Sequence, residues 1–94
     1  MSIVLIATIR AKAEFRDEIK TACEQMVKPS LADRGCEAYR LHLNTKDANE
    51  FVFYEVWQDA TAIEAHNQST HFQKFLSEID GKCESVEIKE LALI

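Results

Sequence analysis

Between residues 51 and 75, FVFYEVWQDATAIEAHNQSTHFQKF, the hydrophobic period changes from two to 3.6 within a few positions. That switch commits the chain to a strand that runs straight into helices. The strand, FVFYEVWQ over 51–58, is rich in aromatic and β-branched residues and is the strongest β pattern present. Asp59 follows as a cap for a short helix over 60–67. Thr70 and Gln73 make a T-x-x-Q capping box for a second helix over 71–80. Phe72, Phe75, Leu76 and Ile79 give that helix its buried face, and Gly81 ends it. The corner gathers Glu55, Trp57, His66, His71, Phe72 and Phe75, polar and aromatic groups suited to lining a small-molecule pocket.

The rest of the chain frames this corner. IVLIATIR over 3–10 is β-branched with apolar residues at both parities, which predicts a strand partly buried on both faces. Phe15, Ile19, Ala22 and Met26 recur at helical spacing and predict a helix over 14–33. Pro29 kinks or ends it, and Gly35 is a plausible stop. CEAYRLHLNT over 36–45 alternates, with Tyr39, Leu41 and Leu43 on one face and Arg40, His42 and Asn44 on the other. KDANE is the polar turn of a hairpin. Residues 84–93, with Val86 and Ile88 against Glu87 and Lys89, form the last strand.

The resulting order, β-α-β-β-α-β with the second helix broken in two, is the α+β ferredoxin-like arrangement. Ninety-four residues without linker, repeat or low-complexity stretch are read as one domain over 1–94. Helices on one sheet face leave the other face, which carries apolar side chains, open to water. With 47% hydrophobic residues on so short a chain, a second copy laid sheet to sheet is the simplest cover.

Charge and cysteine usage narrow the function classes. The net charge is −5 and no basic run exists, so nucleic acid is not an expected partner. The longest apolar run, Ile3 to Ala7, is too short to span a bilayer, and the apolar start lacks the features of a signal peptide. Three cysteines, Cys23, Cys36 and Cys83, are an odd number without C-x-x-C spacing. They suit a reducing cytoplasm and small buried roles better than a disulfide framework. His66 and His71, five apart across a helix break, match no metal-binding motif. Two glycines leave no dinucleotide loop.

For chemistry, His66 is the natural general base, since imidazole titrates near pH ~6.5. Trp57, Phe72 and Phe75 can form an aromatic slot, Tyr54 or His42 can donate to a developing negative charge, and Glu55 can fix a histidine tautomer. Each has a plainer reading. His66 can bond a backbone carbonyl, His71 can be a solvated helix start, Trp57 can pack in the core or at an interface, and the two phenylalanines are core at helical spacing. Glu55, in a buried strand, needs a partner, for which Arg10 and Arg40 are the candidates.

Taken together, Gly35, Cys36 and Tyr39 at a strand start, Glu55 and Trp57 at a strand end, then His66, His71 and Phe72, with Arg10 and Pro29 upstream, resemble the antibiotic-biosynthesis monooxygenase family and its quinol-monooxygenase branch. The resemblance implies a dimeric α+β barrel and oxidation of quinols or aromatic polyketides with dioxygen, without metal or flavin. Other relatives degrade haem or isomerise a phosphorylated sugar. The first strand here lacks the asparagine of the haem-degrading members. The expected activity is therefore cofactor-independent monooxygenation of a quinol-like or polyphenolic small molecule, with His66, Glu55 and Tyr54 catalytic and Trp57, His71, Phe72, Phe75 and His42 binding substrate. The alternatives are a cofactor-free isomerase of a phosphorylated metabolite, using Lys74, Arg40 or Lys12 for phosphate, and a non-catalytic dimeric binding protein.

Overall fold

In the computed structural model, which describes residues 1–94, the elements run β1 (Ile3–Ala11), a 3-10 turn (Ala13–Phe15), α1 (Arg16–Leu31), β2 (Cys36–Leu43), β3 (Glu50–Trp57), α2 (Ala60–Asn67), α3 (Thr70–Ile79) and β4 (Cys83–Leu91). The four strands pair antiparallel in the order β2-β3-β1-β4. This is the ferredoxin-like α+β arrangement expected, with the second helix split. None of the helices is long and apolar enough to cross a membrane.

Period-two alternation decides which side chains meet the helices. Leu5, Ala7 and Ile9 of β1 are buried, as are Phe51, Phe53, Glu55 and Trp57 of β3. Register lines up Tyr39, Glu55 and Leu5 in one row and Leu41, Phe53, Ala7 and Ile88 in the next. Ile19, Ala22, Cys23 and Met26 of α1 and Phe75 and Ile79 of α3 close the core from above. Each fully buried aromatic removes enough apolar surface to contribute about 1.5–3 kcal/mol.

The opposite sheet face is uncovered. Val4, Ile6 and Thr8 of β1 and Val52, Tyr54 and Val56 of β3 are half-buried there, which is why both parities of β1 read as apolar. On β4 the situation differs. Val86 and Ile88 share the helix-side face with Ile9 and Ala7, yet they are 49% and 59% exposed, facing a cavity beneath α3 rather than a packed helix.

Several boundaries differ from the sequence expectation for identifiable reasons. The first helix starts at Arg16, since Lys12 is extended and Phe15 is not helical. Pro29 lies in its last turn. The helix closes two residues later at Leu31 through tightened bonds from the Ala32 N–H to Pro29 and the Asp33 N–H to Ser30. Gly35 is therefore not the helix stop. It takes φ +83° beneath α2, where a β-carbon would come within 2.5 Å of the Ala62 β-carbon. The cap of α3 is Ser69, whose Oγ accepts the Phe72 N–H at 3.2 Å, and Thr70 is the first helical residue. Asp59 caps α2 as expected, accepting the Ala62 N–H at 2.9 Å.

Candidate functional site

The site is built where α2 turns into α3 over the β2–β3 half of the sheet. Ser69 makes the corner rigid: its Oγ donates to the His66 carbonyl at 2.6 Å while accepting from Phe72. Gln73 adds a side-chain bond to the Asn67 carbonyl at 2.7 Å. The corner thus fixes His66, in the last turn of α2, close to His71 in the first turn of α3. Below them, the turn after α1 places Asp33. Its carbonyl accepts the Cys36 N–H at 3.1 Å, and the Gly35 carbonyl accepts the Gln58 N–H at 2.8 Å.

Asp33 joins the two histidines. Its Oδ2 lies 2.7 Å from His66 Nδ1 and 2.8 Å from His71 Nε2. A carboxylate oxygen only accepts, so each of these nitrogens carries a hydrogen. His66 is 3% exposed and ringed by Trp57, Phe72, Tyr39 and His71, at centroid distances of 4.7, 5.1, 5.7 and 5.7 Å. Its other nitrogen, Nε2, is buried and has no hydrogen-bond partner. Burial holds the His66 imidazole below its ordinary range; the bond and charge of Asp33 pull it up, and His71 pushes it down.

An apolar cavity of about 70 Å³ lies between the sheet and α3. Its walls include Tyr39, Phe53, Phe72 and Phe75, and its polar members are Glu55, His66 and Asn67; Leu76, Val86 and Ile88 also line it. Glu55 is 6% exposed and accepts the Trp57 Nε1–H at 2.9 Å. Burial pushes its carboxyl up to about 7, against the lowering effect of that bond.

Of the residues singled out from sequence, Glu55, His66, Phe72 and Phe75 line this cavity together. Trp57 is fully buried beside Glu55 and His66 and does not reach the cavity. It is a packing and hydrogen-bonding residue rather than a slot wall. His71 faces a separate crevice between α1 and α3, with Gln25, Lys74 and Glu78. Tyr54 and His42 need correction. Tyr54 adjoins Glu55 on one strand, so it points to the opposite face, and His42, paired with Val52, lies on that same uncovered face. Neither reaches the cavity. Glu55 is partnered by Trp57, not by Arg10, which bonds Asp47 and Glu50, nor by Arg40, which stands on the uncovered face with Tyr54. The tautomer-fixing role assigned to Glu55 falls to Asp33 instead.

Asp33, Tyr39, Phe53 and Asn67 were not among the residues singled out for the site. Tyr39 and Phe53 share parity with Leu41 and Glu55, a signal that points to them. Asp33 sits in a turn and carries no periodic signal. The ligand-type atoms of Asp33, His66 and His71 lie within 4.8 Å of one another. A cation there would have to displace two ring N–H hydrogens from one oxygen. All three cysteines are free, and burial raises the thiols of Cys23 and Cys36 to about 12 and about 11, far from a reactive thiolate.

The fold is a split-helix ferredoxin-like unit of the α+β class with an apolar cavity and a buried, half-partnered imidazole beneath its helices. Residues 2–78 match the profile of the family described as Antibiotic biosynthesis monooxygenase, and the chain belongs to that family. It is 37% identical over 75 residues to YcnE of Bacillus subtilis strain 168, covering 80% of this chain and 79% of that protein. Among solved structures, PA3566 from Pseudomonas aeruginosa superposes with a TM-score of 0.95 at 31% identity, covering 99% of this chain and 94% of that one. A crystal structure described as an antibiotic biosynthesis monooxygenase superposes with a TM-score of 0.92 at 25% identity, covering 98% of each chain.

Proposed function

We propose that this protein is a cofactor-independent monooxygenase of a quinol-like or polyphenolic small molecule, working as a homodimer closed through its sheet faces. The observation that carries the reading is the buried Nε2 of His66, a lone pair without a partner on a ring that lines an aromatic cavity. A phenolic hydroxyl entering the slot gives its proton to Nε2, while the Nδ1–H stays on Asp33. The phenolate, held away from water among Tyr39, Phe53, Phe72 and Phe75, then passes electrons to dioxygen. One oxygen atom enters the substrate and the other leaves as water, with all four electrons supplied by the substrate. Glu55, with its carboxyl held near 7, serves as the second proton-exchanging group of the slot.

The cavity lining favours this substrate class. It contains no lysine or arginine. Lys74 faces the α1–α3 crevice, Lys12 bonds the Gly81 carbonyl and Arg40 is on the uncovered sheet face, so no phosphate-binding rim supports the isomerase alternative. At about 70 Å³ the slot holds only two or three waters. Phe72 and the exposed Leu76 must swing outward to admit an aromatic ring.

Oxygen uptake by the purified protein with a reduced naphthoquinol tests the proposal. The wild type is expected to exceed autoxidation, and His66→Ala to lose on the order of 100-fold or more of the enzymatic rate. A wild type no faster than autoxidation across a panel of quinols overturns it.

A further inference from the structure

We infer that Asp33 and His71 are opposed positioning residues for His66: one carboxylate oxygen shared between two ring N–H groups locks the imidazole with Nε2 toward the slot, and His71 sets how strongly Asp33 holds it. This rests on the reading of His66 as the base of the slot.

The geometry has two parts. First, the 2.7 Å contact from His66 Nδ1 to Asp33 Oδ2 admits one neutral tautomer. The other would set a lone pair against the carboxylate oxygen and leave a buried N–H unmade in an apolar cavity. Rotation of the ring is blocked by Trp57, Tyr39 and Phe72 packed around it. Second, the same oxygen takes the His71 N–H at 2.8 Å. Two donors on one oxygen divide its accepting power. His71 is partly exposed toward the α1–α3 crevice, so it can be altered without opening the slot. The other ionisable groups turned toward this cluster are Glu55 of β3 and Tyr39 of β2 on the His66 side, Lys74 and Glu78 of α3 in the crevice with His71, and Cys36 beside Asp33.

The two residues therefore pull His66 in opposite directions. Asp33 strengthens the base through the Nδ1–H bond, and His71 weakens it by competing for the oxygen and by its own charge when protonated. A purely structural role predicts no such opposition.

Ring-nitrogen NMR and pH titration of His66 in the full-length free protein provide the test, in wild type, Asp33→Asn, His71→Ala and His71→Gln, each first checked for a native amide spectrum. The wild type is expected to show a protonated Nδ1 and a bare Nε2. Asp33→Asn should mix the tautomers and lower the His66 midpoint by about one unit. His71→Ala should raise it, and His71→Gln, which keeps an N–H donor to Asp33, should restore it toward wild type. Midpoints that do not move, or that move the same way in Asp33→Asn and His71→Ala, overturn the inference, as does an Nε2–H tautomer in the wild type. With a naphthoquinol, the acid limb of kcat/KM should follow the same shifts. Shifts as stated without any turnover sink the monooxygenase reading and leave the pairing intact; turnover with unmoved midpoints does the reverse.

Discussion

Glu55 and His66 meet one cavity with their carboxyl and imidazole displaced in opposite senses, both toward the neutral form. For Glu55 the displacement is from 4.5 to about 7. A group whose folded value is raised contributes stability that is fully present below its unfolded value and is lost as pH rises through the folded one. The relevant window is therefore about pH 4.5 to 7. Glu55→Gln keeps an acceptor for the Trp57 N–H and removes the charge. It should be more stable than wild type at pH 8 by up to about 3 kcal/mol, the gap shrinking as pH falls toward 4.5. Urea midpoints at the two pH values measure this, and a gap independent of pH would show that the Glu55 carboxyl titrates alike in the folded and unfolded chain. His66 works the other way. Its value is lowered, so its contribution is present above about 6.5 and fades as pH falls through the lowered value.

At the scale of elements, the corner between α2 and α3 carries the site, and Ser69 is its pin. Ser69→Ala removes the cap from Phe72 and the bond to the His66 carbonyl. A loss of about 1 kcal/mol in urea unfolding is expected, with a larger proportional loss of turnover because His66 and His71 are aligned by that corner. Undiminished stability would mean that water replaces both bonds. Much of this corner was readable from sequence. Asp59 just after the strand end, Gly81 after the last apolar helix residue, and the Tyr39, Leu41, Leu43 face all follow from local periodicity and capping. Asp33 was not readable, because its bonds reach residues 33 and 38 positions away from a turn without pattern. Tyr54 and His42 were misplaced for the converse reason. Alternation already separates Tyr54 from Glu55, and grouping by chemistry overlooked it.

For the whole molecule, the uncovered face of Val4, Ile6, Thr8, Val52, Tyr54 and Val56 is the surface on which the proposed dimer depends. Ile6, paired with Tyr54 across β1 and β3, lies in the middle of it. Ile6→Glu should convert a sedimenting dimer to monomer while the helix-side core stays folded, since a carboxylate buried between two apolar sheets has no partner there. A dimer that survives this change must use another surface. In that paired state Tyr54 and His42 would be interface residues, away from the substrate.

The uncovered stretch of β4 has a separate consequence. The imidazole and its carboxylate are anchored over β2 and β3, at one side of the sheet, whereas Val86 and Ile88 border the cavity from the far edge strand. In the proposed reaction, acid–base machinery and molecular fit thus fall on different parts of the scaffold. Under that proposal, side chains at the rim can be enlarged, trimmed or made polar to retune which molecule is accepted, and the proton-transfer groups at the opposite wall keep their bonds.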